Sequence, residues 1–321
     1  MAETIRHDWT LREIDTLYHL PFPELIYRSA TLHRQYHDPS TVQFCKLLSI
    51  KTGGCPEDCG YCPQSAHYPV AEVERGGLLE SREILSAAEQ ARKDGATRFC
   101  MGAAWREPKD GAEFDQVLDD IRNVAATGME VCVTLGLLTE KQAFRLKEAG
   151  LTAYNHNLDT SESYYPQIIG TRTYRDRIET IGHVIKAGIS VCSGGIIGMG
   201  ESVEDRMALL RQLSSFTPHP ESVPVNLLIP FKGTPLEGAR PVDPLDLVRM
   251  VATARMVMPA SRIRLSAGRL LLSRETHALC FLAGANSIFV GNQLLTAPNP
   301  DGERDEALLA ALGMRKDGVR E

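Results

Sequence analysis

The chain has 321 residues, of which 43% are hydrophobic and 24% charged, and a net charge of −6. The acidic balance argues against nucleic acid as the main partner, and no apolar run reaches the roughly 20 residues that a membrane span requires. The first eight residues lack the apolar core of a signal peptide and contain acidic residues that transit peptides avoid, so we expect a cytoplasmic location and no membrane partner.

Short β-rich runs alternate with longer amphipathic runs along most of the chain. Two helices are expected before residue 42. The predicted strands then cover residues 44–50, 97–102, 130–135, 151–157, 189–194, 222–229, 262–267 and 287–290. The predicted helices cover residues 81–94, 113–126, 140–149, 174–187, 203–215, 245–257 and 274–283. Eight strands alternating with helices predict an α/β fold, a parallel (βα)8 TIM barrel with an N-terminal helical extension.

The same pattern predicts the organisation of the chain. Residues 1–41 form the helical extension, residues 42–297 the barrel, and residues 298–321 a charged peripheral tail. We find no linker that would divide the barrel and no short-period repeat.

Three cysteines follow the first predicted strand with the spacing C-x3-C-x2-C: Cys55, Cys59 and Cys62. Thiolates this close in sequence can hold three irons of a 4Fe-4S cluster, which usually takes four cysteines. No fourth cysteine is nearby, so one iron would stay open to a small molecule. The alternative is a structural zinc site, but zinc usually takes paired C-x2-C knuckles. Tyr61 could pack beside such a cluster or belong to the core.

Three more cysteines fall in three different predicted strands: Cys100, Cys132 and Cys192. Since alternate side chains of a strand face opposite sides, all three could point into the barrel lumen. A buried free cysteine is also a common small hydrophobic residue. A shared metal site and separate core positions therefore both fit the pattern. Cys45 and Cys280 have no such company, and we interpret them as core or incidental residues.

Polar residues occupy lumen-facing positions near the ends of other strands. Asn155, Asn157 and Asp159 share one face of the fourth strand and its end, and Asn226 alternates with apolar neighbours in the sixth. Amides and a carboxylate suit sugar hydroxyls and amide-bearing ligands, although Asp159 could also cap the next helix. Arg264 in the seventh strand needs an anionic partner in a lumen, and residue chemistry alone assigns it to a substrate carboxylate.

Together these motifs resemble the radical S-adenosylmethionine enzymes, whose hallmark is the C-x3-C-x2-C loop. Within that family, longer stretches resemble the enzymes that insert sulfur into dethiobiotin to form biotin. These stretches are residues 48–65, 99–105, 154–160, 191–195 and 264–269. The likeness runs from about residue 9 to about residue 298, nearly the whole chain.

The resemblance implies a 4Fe-4S cluster on Cys55, Cys59 and Cys62 that binds S-adenosylmethionine through its open iron. Cleavage of S-adenosylmethionine would yield a 5′-deoxyadenosyl radical, which takes hydrogen from dethiobiotin. A 2Fe-2S cluster would supply the sulfur, so the enzyme would be a sulfurtransferase. The ligands implied for this second cluster are Cys100, Cys132, Cys192 and Arg264. This role contradicts the assignment of Arg264 to a substrate carboxylate, because a protonated guanidinium has no lone pair for a metal.

The resemblance also implies the contacts of both small molecules. Asn155 and Asn226 would contact the dethiobiotin ring. The residues expected to contact S-adenosylmethionine are Tyr61, Asn157, Asp159 and Arg177. A small electron-donor protein of flavodoxin or ferredoxin type and a homodimer are further expectations.

Two other interpretations stay open at this point. One is a radical S-adenosylmethionine barrel enzyme with a different small-molecule substrate, and the other is a non-catalytic iron–sulfur or zinc protein. The three strand cysteines together with Arg264 favour sulfur insertion, because such relatives would not need the full set.

Overall fold

Eight parallel strands close into a barrel in the computed structural model, which describes residues 5–68, 70 and 73–318. Pairing of the first strand with the ninth closes the barrel. A short sixth strand pairs with the seventh, and a tenth pairs with the start of the first. The strands are β1 (Thr41–Lys51), β2 (Arg98–Ala103), β3 (Glu130–Thr134), β4 (Ala153–Asn155), β5 (Ser190–Cys192), β6 (Gly195–Ile197), β7 (Ser222–Leu227), β8 (Arg262–Leu265), β9 (Ser287–Val290) and β10 (Arg315–Lys316).

Helices surround the barrel and precede it. They are α1 (Leu11–Tyr18), α2 (Phe22–Tyr36), α3 (Ser81–Lys93), α4 (Ala112–Ala126), α5 (Glu140–Glu148), α6 (Tyr174–Lys186), α7 (Val203–Ser215), α8 (Pro244–Val257), α9 (Arg274–Leu282) and α10 (Gly302–Leu312). The predicted α/β barrel is confirmed, and each predicted strand and helix has a counterpart. None of the helices in the described ranges is long and apolar enough to cross a membrane.

Local sequence explains where several helices begin. Thr173 caps α6 by accepting a hydrogen bond from the Asp176 amide, while the Asp176 side chain reaches back to the Thr173 amide. Ser202 and Asp205 form the same capping box at α7. Such reciprocal caps satisfy amides that a helix start would otherwise leave unpaired, so they fix where the loops end and the helices begin.

The fourth predicted strand is shorter in the structure, which ends β4 at Asn155. Asp159 has a φ of +68°, the only positive φ of a non-glycine residue in the described part of the chain. Aspartate tolerates the left-handed region better than most residues. The chain therefore turns at Asp159 and leaves residues 156–159 at the rim of the barrel.

The N-terminal extension packs on the outer helices, α1 against α7 and α8 and α2 against α8. Ile14 and Leu25 are fully buried in this contact layer. Arg249 of α8 donates to the carbonyls of Tyr18 and Leu20, at 2.9 Å each. The extension therefore lies outside the barrel wall. Its first four residues lie outside the described part of the chain.

The segment after residue 297, expected from sequence to be peripheral, forms α10 and β10. Leu308 and Leu309 are buried, and Asp305 is buried in an ion pair with Arg269. β10 adds to the sheet at Thr41. This segment therefore supplies the helix that follows the last barrel strand; residues 319–321 lie outside the described ranges.

The two faces of the strands bury different side chains. Outward residues such as Phe99, Met101 and Val131 join the main apolar core under the helices. Inward residues form a second, separate cluster inside the barrel: Cys45, Cys100, Cys132, Ala153, Cys192, Phe289 and Leu294. The lumen is therefore rich in sulfur.

Candidate active site

A cavity of about 320 Å³ extends from the lumen to the loops that follow the barrel strands. Active sites of (βα)8 barrels lie at this end. The sequence-derived site residues all line this one cavity: Cys55, Cys59, Tyr61, Cys62, Cys100, Cys132, Asn155, Asn157, Asp159, Arg177, Cys192, Asn226 and Arg264.

The cysteine loop turns back over the barrel directly after β1. Gly53 and Gly54 have φ values of +73° and +70°, which glycine adopts without strain. The Cys55 amide then donates to the Gln64 carbonyl at 3.0 Å, and closes the loop on itself. Burial raises the pKa of Cys59 to about 11 and that of Cys62 to about 12. Binding of a metal cluster would therefore displace protons from these thiols.

The loop is clamped to the segment that follows β4. Asp58 accepts hydrogen bonds from the amides of Gly170 and Thr171, at 2.9 and 3.0 Å. The neighbouring Glu57 is buried and pairs with Arg106 at 2.8 Å. These contacts fix the position of the three thiols relative to the cavity.

The thiols of this loop are free. Among the described residues, no three His, Cys, Asp or Glu side chains are arranged to hold a single metal ion. In an iron–sulfur cube each iron takes its own thiolate, so its ligands lie further apart than those of one ion. Three thiols on one short loop at a cavity wall fit such a cube.

A polar group at the end of β4 faces the cysteine loop. The Tyr61 hydroxyl donates to Asp159 Oδ2 at 2.8 Å, and Arg177 pairs with the same carboxylate oxygen. Arg177 also donates from Nε to the Tyr165 hydroxyl at 2.7 Å. Burial by itself would lower the pKa of Arg177, but Asp159, together with weaker contributions from Tyr165, Tyr61 and Cys59, outweighs burial and the pKa is raised. The Arg177 guanidinium therefore stays protonated.

All three asparagines of the cavity already make hydrogen bonds within the protein. Asn155 donates to the Cys192 sulfur at 3.3 Å, and Asn157 accepts from the Gly194 amide at 3.1 Å. Asn226 donates to the Gly195 carbonyl at 3.0 Å and accepts from the Ala267 amide at 3.1 Å. Its amide therefore ties β6 to the end of β8, while its side chain still lines the cavity.

The strand cysteines lie deeper in the lumen than the loop. Cys100 and Cys132 are register partners in β2 and β3, and Cys192 is the partner of Asn155. Cys132 is hydrogen-bonded to Cys100 and Cys192, and these two bonds raise the pKa of Cys132. The bond between Cys132 and Cys192 lowers the pKa of Cys192, and the positive charge of Arg264 lowers it further. Three strands far apart in sequence therefore bring their thiols into contact.

Arg264 is fully buried beside these thiols. Its Nη1 lies 3.7 Å from the Cys192 sulfur, and its Nε donates to Ser287 Oγ at 2.9 Å. Burial by itself would lower its pKa, but the interactions with Cys45, Cys192 and Cys100 together outweigh burial and raise it. The guanidinium and the three strand thiols thus form a set of four candidate metal ligands at the closed end of the cavity.

Sequence reasoning missed two residues here. Cys45 is a buried core residue, as expected, but it lies in the lumen cluster with the other strand cysteines, 3.6 Å from the Ser287 hydroxyl. Cys45 and Leu47 are two residues apart in β1, so their side chains face the same side of the strand, and this alternation could have predicted the lumen position of Cys45. Arg172 lines the cavity from a loop, where no periodicity points to it. Cys280 lies in the main apolar core.

Comparison with known protein families gives two matches that together span most of the chain. The Radical SAM superfamily matches residues 49–213. The Biotin and Thiamin Synthesis associated domain matches residues 224–315.

Curated relatives are similar over nearly the whole chain. A protein named biotin synthase from Methylobacterium nodulans is 59% identical over 98% of this chain and 95% of its own length. One of the same name from Zymomonas mobilis is 60% identical over 98% of this chain and 93% of its own.

Solved structures share the fold at low sequence identity. Methylornithine synthase (PylB) superposes with a TM-score of 0.81 at 19% identity, covering 97% of this chain and 94% of that one. The hydrogenase maturase HydG from Carboxydothermus hydrogenoformans gives 0.82 at 16% identity, covering 97% and 76%. These likenesses concern the barrel architecture alone.

Proposed function

This chain belongs to the biotin synthase family of radical S-adenosylmethionine enzymes, and on that premise we propose that its cavity holds dethiobiotin and S-adenosylmethionine between two iron–sulfur clusters. The activity of the family is radical insertion of sulfur into dethiobiotin to form biotin. When bound, the four-iron cluster supplies the electron that splits S-adenosylmethionine, and the two-iron cluster supplies the sulfur.

Cys55, Cys59 and Cys62 hold the four-iron cluster in this proposal. The support is that all three thiols are free, lie on one clamped loop and line the cavity. Because the loop offers three thiols for four irons, one iron is left for the amino and carboxylate groups of S-adenosylmethionine.

The rim beside this loop binds the rest of S-adenosylmethionine. Asp159 accepts hydrogen bonds from the ribose hydroxyls, with Asn157 next to it. Arg177 acts through Asp159, since its guanidinium is already bonded to that carboxylate and to Tyr165. Tyr61 packs against the nucleoside and keeps Asp159 oriented.

The two-iron cluster is held by Cys100, Cys132, Cys192 and Arg264. The support is that these three thiols and one guanidinium converge on one region of the lumen. Neighbouring thiolates favour the protonated form of Arg264. To bind iron, Arg264 must give up a proton, and the positive charge of the two irons would favour that loss.

Dethiobiotin lies between the two clusters, where Asn155 and Asn226 face its ring. A buried lumen keeps water away from a carbon radical. Holding the substrate between radical source and sulfur source brings the target carbons close to both.

The remaining assignments follow from the same proposal. The enzyme is a cytoplasmic sulfurtransferase and a homodimer, reduced by a small flavodoxin- or ferredoxin-type protein. Its units are the extension 1–41, the barrel 42–297 and the C-terminal segment 298–321.

The observation that carries the proposal is that two separate sets of thiols line a single cavity. The test is anaerobic reconstitution with iron and sulfide, followed by incubation with dethiobiotin, S-adenosylmethionine and a reductant. Biotin and 5′-deoxyadenosine should form together, and Cys280→Ala, in the outer core, should still form both. Deoxyadenosine without biotin, from protein holding only about four irons per chain, would point to a different substrate.

A further inference from the structure

Arg172 lies between the cysteine loop and the cavity, and none of the roles above uses it. Its side chain is 9% exposed. Its Nη2 donates a hydrogen bond to the Cys59 sulfur at 3.5 Å. Its Nε is buried and has no hydrogen-bond partner among the described residues. A guanidinium charge is therefore held against one of the cluster thiols.

The nearby carboxylates balance this charge only in part. Glu57 Oε2 lies 3.9 Å from Arg172 Nε, beyond hydrogen-bond distance. Glu57 is already paired with Arg106 at 2.8 Å and accepts a hydrogen bond from the Thr171 hydroxyl. Asp159, at the opposite side, is paired with Arg177. Arg172 thus shares Glu57 with Arg106 and has no carboxylate within hydrogen-bond distance among the described residues.

We propose that Arg172 is a positioning residue that sets the reduction potential of the four-iron cluster through its hydrogen bond to the Cys59 sulfur. This inference rests on the proposed function, because it requires a cluster on that loop. Reduction adds one negative charge to the cluster. Donors to the cluster sulfurs and nearby cations stabilise the reduced form, and burial strengthens both effects. Arg172 therefore raises the potential and makes the cluster easier to reduce.

The position of Arg172 distinguishes this role from that of Arg177. The Arg177 guanidinium donates its hydrogen bonds to Asp159, Tyr165 and the Asn157 carbonyl. Arg172 directs a donor at the thiol itself. Loss of Arg177 should therefore disturb the ribose side of the site, and loss of Arg172 should change the cluster.

The test compares midpoint potentials of the reconstituted full chain, followed by the EPR signal of the reduced four-iron cluster, without S-adenosylmethionine. In Arg172→Gln we expect the reduction equilibrium constant to fall at least tenfold, about 59 mV more negative for one electron. Arg172→Lys keeps the charge but not the planar fork of donors, so its shift should be smaller. The matched control is Arg175→Gln, which removes the same charge from an 85% exposed side chain three positions away and should leave the potential unchanged.

Each other outcome has a defined meaning. A parent protein that never takes up a four-iron cluster would refute the proposed function itself. With the cluster present in the parent, an Arg172→Gln potential equal to the parent's would overturn the inference, and so would an equal shift in Arg175→Gln. An Arg172→Gln protein that folds but loses its iron would assign Arg172 to cluster assembly and overturn the inference as well.

Discussion

The Tyr61 hydroxyl lies 2.8 Å from Asp159 Oδ2, and this hydrogen bond joins the cysteine loop to the turn that ends β4. The two residues are 98 positions apart in the chain. Because Arg177 pairs with the same carboxylate, three separate segments meet at Asp159. Asp159 therefore joins three segments of the chain, in addition to the ribose contact proposed for it.

Replacement of Asp159 by asparagine should leave the Arg177 charge buried and unpaired. We expect the free energy of unfolding to fall by about 3 kcal/mol and S-adenosylmethionine binding to weaken, measured by denaturant unfolding and equilibrium binding. Tyr61→Phe removes one neutral donor and should cost only about 1 kcal/mol. Equal losses in the free energy of unfolding for the two substitutions would show that the Asp159–Arg177 ion pair stabilises the fold no more than the Tyr61 hydrogen bond does.

Cys132→Ala should abolish biotin formation and leave cleavage of S-adenosylmethionine to 5′-deoxyadenosine. Cys132 lies in the lumen thiol set, away from the loop that holds Cys59. The checks are iron and sulfide content, optical spectra and both products. Cys45→Ala removes a lumen thiol outside the proposed ligand set and should keep both clusters. Simultaneous loss of both clusters in Cys132→Ala would contradict two separate sites.

Gly194→Ala should be poorly tolerated, because a β-carbon at this position would lie 1.9 Å from the Pro224 carbonyl oxygen. Separating these two backbones should lower the free energy of unfolding by about 3 kcal/mol. Gly182→Ala, in the interior of α6 with nothing within 4 Å, should raise it by roughly 0.5–1 kcal/mol. Thermal unfolding of the two variants under anaerobic conditions tests the contrast, and a Gly194→Ala protein as stable as the parent would refute the contact.

His33 should make the protein less stable in mild acid. Burial lowers its pKa to about 3 in the folded protein, whereas the unfolded value is about 6.5. Well above pH 6.5 the His33 side chain is neutral in both states. As the pH falls from about 6.5 toward 3, the unfolded state gains the proton and stability is lost. His33→Leu should remove roughly 2 kcal/mol of the stability difference between pH 7 and pH 5, measured by urea unfolding at both pH values; an unchanged difference would contradict the assignment.

The buried pair of Arg269 and Asp305 should anchor α10 to the barrel. Asp305→Ala leaves Arg269 unpaired in a site where both side chains are at most 2% exposed, so we expect a loss of about 3 kcal/mol in the free energy of unfolding. Arg315→Ala breaks the exposed pair with Asp38 and should cost less than about 1 kcal/mol. Proteolysis of the C-terminal segment should accelerate only in the Asp305 variant.

The parts of the site that lie on strands were predictable, because strand side chains alternate with period two. Parity alone placed Cys100, Cys132 and Cys192 on the lumen side, and the structure brings them together. Cys45 obeys the same rule, because Leu47, two residues further along β1, also packs against the lumen cluster.

Loop residues and the last helix were not predictable in the same way. Arg172 reaches the cavity from a loop whose path depends on the contacts of Asp58 and Glu57, which no local pattern encodes. The helix α10 follows Pro298-Asn299-Pro300 and has many charged residues. Its apolar face is short, so only its packing against the barrel reveals its role.

The edge pairing of β10 with Thr41 has a practical consequence for electrochemistry on this protein. Thr41 begins β1, and Lys51 ends it near the cysteine loop; ten residues of strand span about 33 Å. A tether attached next to β10 would therefore leave the end of the barrel that carries the cysteine loop facing the bulk solution.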